Sequence, residues 1–390
     1  MPDENTSFPN AFGPTHCIPS DLTALPPRPG IGFSLSGGGY RAMIFHLGAL
    51  IRLNEAGILA KIKRISSVSG GSITAGVLGM KWKRLTFVGG VANNLQAEVV
   101  DPVRKMADKT IDATAIIGGV LLPGTISERI EKAYDDTLFH GATLQDLPSD
   151  NEGPRFVINA TSVQSGALFR FSKPFMADYL VGMVKTPKVP IAKAVAASSA
   201  FPPVLSPCVL QTNPSDFEKD PKCPLQREPF TSEIVLADGG VYDNLGIETV
   251  WKDYKTVLIS DAGGKMQAEA EPKHDWARHA YRVLDVIDNQ VRSLRKRQVI
   301  AAFKTPSSGH DGTYWSVRSH VADYGLPNSI DFSPDEACGL AQTPTRLKRL
   351  DPQYQERLIN WGYAICDTAI RAHVDKTLSM GKMPYPNSRI

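Results

Sequence analysis

Two glycine turns constrain this chain more than any other feature of its sequence: Ser34-Leu35-Ser36-Gly37-Gly38-Gly39-Tyr40-Arg41 and, about thirty residues on, Ser67-Val68-Ser69-Gly70-Gly71. Each follows a short apolar run, over 31–36 and 62–68, that reads as a strand, and each leads into a helical pattern. After the first turn, Met43, Leu47, Leu50, Ile51 and Leu53 mark an apolar helix face over 41–56, and Gly57 ends the run. Strand, helix, strand in that order is the right-handed crossover unit of a parallel sheet, whose ligand crevice lies beyond the carboxyl ends of the strands. Both glycine turns fall at that edge. The first offers backbone N–H groups to a developing oxyanion, and the second lifts the Ser69 hydroxyl out at a helix start, which is the minimum equipment for acyl transfer.

A serine hydroxyl is a weak nucleophile until a base takes its proton. Val235-Leu236-Ala237-Asp238-Gly239-Gly240 is again a strand running into glycines, and it is expected to bring the Asp238 carboxylate to the same sheet edge. To act directly as the base, Asp238 must be partly desolvated, because a solvated carboxylate near pKa 4 is a poor proton acceptor. Further strands are expected over 155–160, 168–171 and 256–260, and a small-residue helix over 191–199. Beyond Gly264 the pattern turns helical. One helix runs from 276 to about 303 with Val283, Val286, Ile287, Val291 and Leu294 on one face, and another from 352 to about 374. The fold class expected is α/β, a mainly parallel central sheet flanked by helices, with a helical C-terminal region packed on it.

Four blocks carry a family resemblance: Ser36-Gly37-Gly38-Gly39-Tyr40-Arg41, the Ser69-Gly70-Gly71 turn, Ala197-Ser198-Ser199-Ala200-Phe201-Pro202, and Asp238-Gly239-Gly240-Val241-Tyr242-Asp243-Asn244. Their order resembles that of patatin-like phospholipases, and the first block is similar to the corresponding turn of the cytosolic calcium-dependent phospholipases. The resemblance implies a three-layer fold and divides the chain into an N-terminal extension over 1–29, a catalytic domain over 30–265 and the helical region over 266–390. It makes Ser69 the nucleophile, Asp238 its base, and the N–H groups around Gly37, Gly38 and Gly39 the oxyanion hole. One position departs from the family pattern, Ser67 standing where the first glycine of Gly-x-Ser-x-Gly is usual. The implied activity is that of a lipid acyl hydrolase of phospholipase A or lysophospholipase type, cleaving carboxylic esters of membrane phospholipids through an acyl-enzyme. No metal or cofactor is required. Arg41, at a helix N-terminus beside the hole, either faces the lipid phosphate or clamps nearby carbonyls. Bacterial members include membrane-degrading effectors switched on by nucleotides or partner proteins, so a regulatory nucleotide or protein activator fits, as does transient contact with a membrane surface. The other class is a non-catalytic lipid or nucleotide sensor on the same fold.

Competing chemistries are weaker. His274, His310 and His320 follow Asp238 in the order of an ordinary triad, and His46 lies on the first helix, but none stands in a strand-to-loop context. Gly37-Gly38-Gly39-Tyr40-Arg41-Ala42 satisfies a loose dinucleotide pattern, yet the second strand ends in Ser66, Ser67 and Ser69 where a ribose-binding acid belongs. A net charge of +3 does not argue for nucleic acid, while Arg292, Arg295, Lys296 and Arg297, and separately Arg346, Lys348 and Arg349, form local basic stretches. Five scattered cysteines contain no Cys-x-x-Cys pair, so free thiols in a reducing compartment are expected. The first residues show no secretory pattern and no run is long enough to span a membrane. The expectation is a cytoplasmic protein associating peripherally with the inner membrane face, with the apolar run 113–122 as its interfacial segment.

Overall fold

The computed structural model describes residues 27–111 and 125–388. The run 113–122 and Cys17 lie outside them. A ten-stranded mixed sheet organises the chain. Its strands are β1 (Arg28–Leu35), β2 (Ile62–Val68), β3 (Arg155–Ser162), β4 (Leu168–Phe171), β5 (Phe175–Asp178), β6 (Gly182–Lys185), β7 (Cys208–Gln211), β8 (Glu233–Asp238), β9 (Tyr254–Asp261) and β10 (Asp311–Ser316). Five of them, in the order β10-β9-β1-β2-β3, are parallel and form the centre. Toward their carboxyl ends these strands are buried on both faces, as apolar runs such as Val257-Leu258-Ile259 require. From β3 outward the sheet turns antiparallel through β4, β5 and β6.

Asp238 is the last residue of β8. Its strand reaches the carboxyl edge of the parallel strands, but from the opposite direction. Strand β3 extends past the end of β2, pairing Val68 with Asn159 on one edge. Along the continuation of that edge β8 runs antiparallel, with Leu236 opposite Ser162 and Asp238 opposite Ala160. Two strands therefore meet carboxyl end to carboxyl end beside consecutive β3 residues, and the turns that leave them are forced into contact.

Helix α1 (Gly39–Glu55) fills the first crossover and α2 (Gly70–Lys81) follows β2. The sequence of α2 is small and apolar all round, and every residue from Gly70 to Gly79 is buried. Helix α3 (Ile191–Ser198) is likewise interior. Beyond β9 come α4 (Trp276–Lys304) and α5 (Pro352–His373), the latter started by Pro352 and by the Asp351 side chain accepting from Gln353 N–H at 2.9 Å. Helix α5 crosses α1 at close range: a Cβ added at Gly362 would lie 2.0 Å from the Phe45 carbonyl, and one at Gly48 2.0 Å from that of Ile359. Arg52 of α1 donates to Asp367 of α5 at 2.7 Å, both buried. One apolar cluster runs from Phe33 to Met383. Among the described residues no helix is long and apolar enough to cross a membrane.

Candidate active site

The turn after β2 holds Ser69 at φ 51°, ψ −122°, a conformation that is strained for any residue with a Cβ. Nothing local relieves it, so the surroundings must impose it. Gly70 presses on the first glycine turn so closely that a Cβ there would lie 2.0 Å from the Gly39 carbonyl. A chain of hydroxyls holds the other side. Ser69 N–H donates to Ser198 Oγ at 2.9 Å, Ser198 meets Ser72 Oγ at 2.9 Å, and Ser72 donates to Ser67 Oγ at 3.0 Å. Ser67, the position that departs from the family pattern, thus anchors the turn with a fully buried hydroxyl.

Asp238 is 2% exposed. Its N–H donates to the Ala200 carbonyl at 2.8 Å, and its own carbonyl accepts from Thr161 at 2.8 Å. The Gly239 N–H donates to the Ser198 carbonyl at 3.2 Å, so Ser198 ties the serine turn by its side chain and the aspartate turn by its backbone. The carboxylate accepts the Gly240 N–H at 2.6 Å and interacts with the Ser69 side chain. Burial pushes its pKa up to about 7; the Gly240 and Ser69 contacts oppose that rise, and Asp288 of α4 adds to it. A carboxylate so poised is a competent acceptor for a serine proton near neutral pH.

The three glycines divide. Gly37 N–H donates to the Asn244 carbonyl at 3.0 Å, whereas the N–H groups of Gly38 and Gly39 find no acceptor among the described residues. Gly38, at φ 143°, and Gly39, at φ 58°, line the same cavity as Ser69 and Asp238. Arg41 does not line it. It is 2% exposed and donates to the carbonyls of Ala262 and Thr343 and to the Thr345 hydroxyl, the contacts of a clamp between α1 and two distant loops. His46 is buried between Ser260 Oγ at 2.8 Å and the Ser36 carbonyl at 3.0 Å, and burial pulls its pKa down to about 4. None of His46, His274, His310 and His320 borders the cavity.

The cavity has a volume of about 440 Å³. Its floor is Gly38, Gly39, Ser69 and Asp238, its rim includes Phe201 and Val204, and one wall is α4, which contributes Asp285, Asp288 and Arg292. The order of elements along the chain does not place α4 here. Two acids three residues apart in an apolar helix were the available signal, since they share a face opposite Ile287 and Leu294. Among the described residues no cluster of acid, histidine or cysteine side chains is arranged to hold a metal ion, and the four described cysteines are free thiols.

A carboxylate desolvated beside a strained serine, in a cavity that backbone N–H groups at a helix start also line, has the chemical means to support acyl transfer. A sequence model of the patatin-like phospholipases matches residues 33–251, more than half of the chain, and the chain belongs to that family. Among solved structures it is similar to human GIVD cytosolic phospholipase A2, with 13% identity and a TM-score of 0.52 over 87% of this chain and 58% of the human one. This chain therefore spans little more than half the length of that enzyme, and the likeness is one of fold. VipD from Legionella pneumophila also matches, with 16% identity and a TM-score of 0.37 over 87% of this chain and 66% of VipD. A comparison with curated protein sequences finds no match.

Proposed function

We propose that the chain is a lipid acyl hydrolase of phospholipase A or lysophospholipase type, working through Ser69 and Asp238. The observation that carries the proposal is the head-on meeting of β2 and β8, which sets a strained serine against a buried carboxylate with a pKa raised to about 7. In the first half-reaction Ser69 Oγ attacks the acyl carbon and its proton passes to Asp238. The oxygen that becomes negative faces the N–H groups of Gly38 and Gly39. Collapse breaks the ester bond, and the departing alcohol takes the proton back, leaving an acyl-serine. Water then gives a proton to Asp238 and attacks the acyl carbon, which releases the fatty acid and restores Ser69. Gly37 supports the hole through Asn244 rather than by donating into it, and Arg41 serves as a clamp rather than a phosphate ligand. The proposal extends to peripheral action at the inner face of a membrane under a nucleotide or protein activator. Its support is chemical, since an insoluble substrate demands surface contact.

Mass spectrometry of defined phospholipids incubated with the wild type and Ser69→Ala tests the activity. Fatty acid and lysophospholipid appear with the wild type alone. No released fatty acid under any condition, cellular nucleotide mixtures included, removes the hydrolase and leaves a lipid or nucleotide sensor.

A further inference from the structure

Helix α4 is built inside out. At 3.6 residues per turn, Trp276, Val283, Leu284, Ile287 and Leu294 fall within an arc of about 100°, and all five are exposed. Trp276 is 85% exposed and Leu284 56%. The opposite face, with Asp285, Asp288, Asn289 and Arg292, looks into the cavity. An ordinary surface helix turns its apolar stripe to the core and its charges to water. Here Val299 is the one residue of α4 that is fully buried. Among the described residues, seven of the thirteen exposed large hydrophobic side chains belong to this helix. Of the apolar face read from the sequence, Val283, Val286, Ile287 and Leu294 are exposed and Val291 is half-buried.

We propose that α4 docks the protein on an anionic lipid surface, its apolar stripe entering the headgroup boundary while its polar face walls the cavity over Ser69 and Asp238. Two observations favour a membrane over another protein. The first is charge: the helix's two carboxylates, Asp285 and Asp288, turn toward the cavity, Arg278 is paired with the Asp275 cap at 2.6 Å, and the exposed ionised side chains on the flank of the stripe, Arg297 and Lys304, are both cations. An apolar stripe beside cations on a helix of 29 residues, about 44 Å long, is the pattern of an in-plane interfacial helix. The second is continuity with the cavity. Phe201 and Val204, 40% and 43% exposed, form an apolar rim to the same cavity that α4 walls. A lipid leaving the bilayer along that rim meets Ser69 without crossing water. The proposal deepens the hydrolase reading and takes its substrate class from it, but the docking itself needs no chemistry.

The test separates the two. Vesicles of phosphatidylcholine mixed with phosphatidylglycerol are sedimented with the wild type, with Ser69→Ala, and with the triple variant Leu284→Gln/Ile287→Gln/Leu294→Gln. Ser69→Ala sediments like the wild type whatever the enzyme's chemistry. The triple variant binds on the order of 100-fold more weakly, because three side chains lose their transfer into the headgroup boundary. Raised salt weakens the wild type without abolishing its binding. Trp276 is the most exposed of the chain's five tryptophans and needs no substitution, so vesicles of brominated phosphatidylcholine quench its fluorescence if the stripe inserts. Equal sedimentation of the triple variant and the wild type overturns the proposal, and so does unquenched tryptophan fluorescence in the wild type. A wild type of doubled mass that ignores vesicles overturns it too, because the stripe is then a contact between copies. Loss of turnover in Ser69→Ala, or its absence in the wild type, bears on the hydrolase alone.

Discussion

The buried carboxylate of Asp238 ought to weaken the fold at the pH where it is most useful. Its ordinary pKa is 3.8 and burial raises it to about 7, which costs the ionised form roughly 4 kcal/mol relative to the same group in the unfolded chain. The sign follows from proton counting. Between about pH 4 and pH 7 the folded state holds a proton that the unfolded state has lost, so stability falls across that window and stays low above it. Asp238→Asn replaces the carboxylate by a neutral group that still accepts the Gly240 N–H, while its amide N–H adds about 1 kcal/mol of unmet hydrogen bonding. The variant is therefore expected to be about 3 kcal/mol more stable than the wild type at pH 8 and slightly less stable near pH 4. Urea unfolding of both proteins across this range measures the difference. Parallel stability curves would falsify the claim that Asp238 is ionised at a desolvated site. A variant that is more stable at pH 8 yet without acyl hydrolase activity is the expected signature of a group held for function.

The same site yields narrower expectations. Asp288→Asn removes the like charge that helps raise the Asp238 pKa, so the acid limb of kcat/KM against pH moves to lower pH; an unmoved limb rules out coupling between α4 and the dyad. Arg41→Met leaves the carbonyls of Ala262 and Thr343 without their buried donor and is expected to lose about 3 kcal/mol in urea unfolding, whereas a small change would mean that the clamp is dispensable. Gly362→Ala places a methyl group 2.0 Å from the Phe45 carbonyl, forcing α1 and α5 apart at a cost of about 3 kcal/mol, read by thermal melting.

Much of this was legible along the chain because local chemistry and tertiary role agreed. Strand β2 and helix α1 follow from apolar runs ended by glycines, and β4 and α3 fall within a residue of their expected bounds. Ser69 and Asp238 each stand where a strand stops at a glycine, and they come together. Strands β5, β6, β7 and β10 escaped, being short or interrupted by polar residues and held by pairing to neighbours rather than by their own pattern. The direction of β8 escaped for a deeper reason. Parallel and antiparallel strands share a period of two, and only the partner decides which is formed. Gly48 and Gly362 carry no signal of their own along the chain, because their use, letting two helix backbones touch, exists only between distant segments.

Helix α4 shows where periodicity is silent in principle. A stripe repeated at 3.6 residues identifies a helix and its apolar face, but it does not say what solvent that face meets. For α5 the apolar residues Leu358, Ile359, Trp361 and Ile365 lie against α1 and the sheet, and the usual inference holds. For α4 the acids settle the orientation. Asp285, Asp288 and Arg292 line the cavity, so the face carrying them looks inward, and Ile287 and Leu294 on the other side of the helix are exposed. The polar face turned to the cavity thereby decides which side of a 29-residue helix is offered to the surroundings. The cavity wall over Ser69 and Asp238 and the exposed stripe are two faces of one helix.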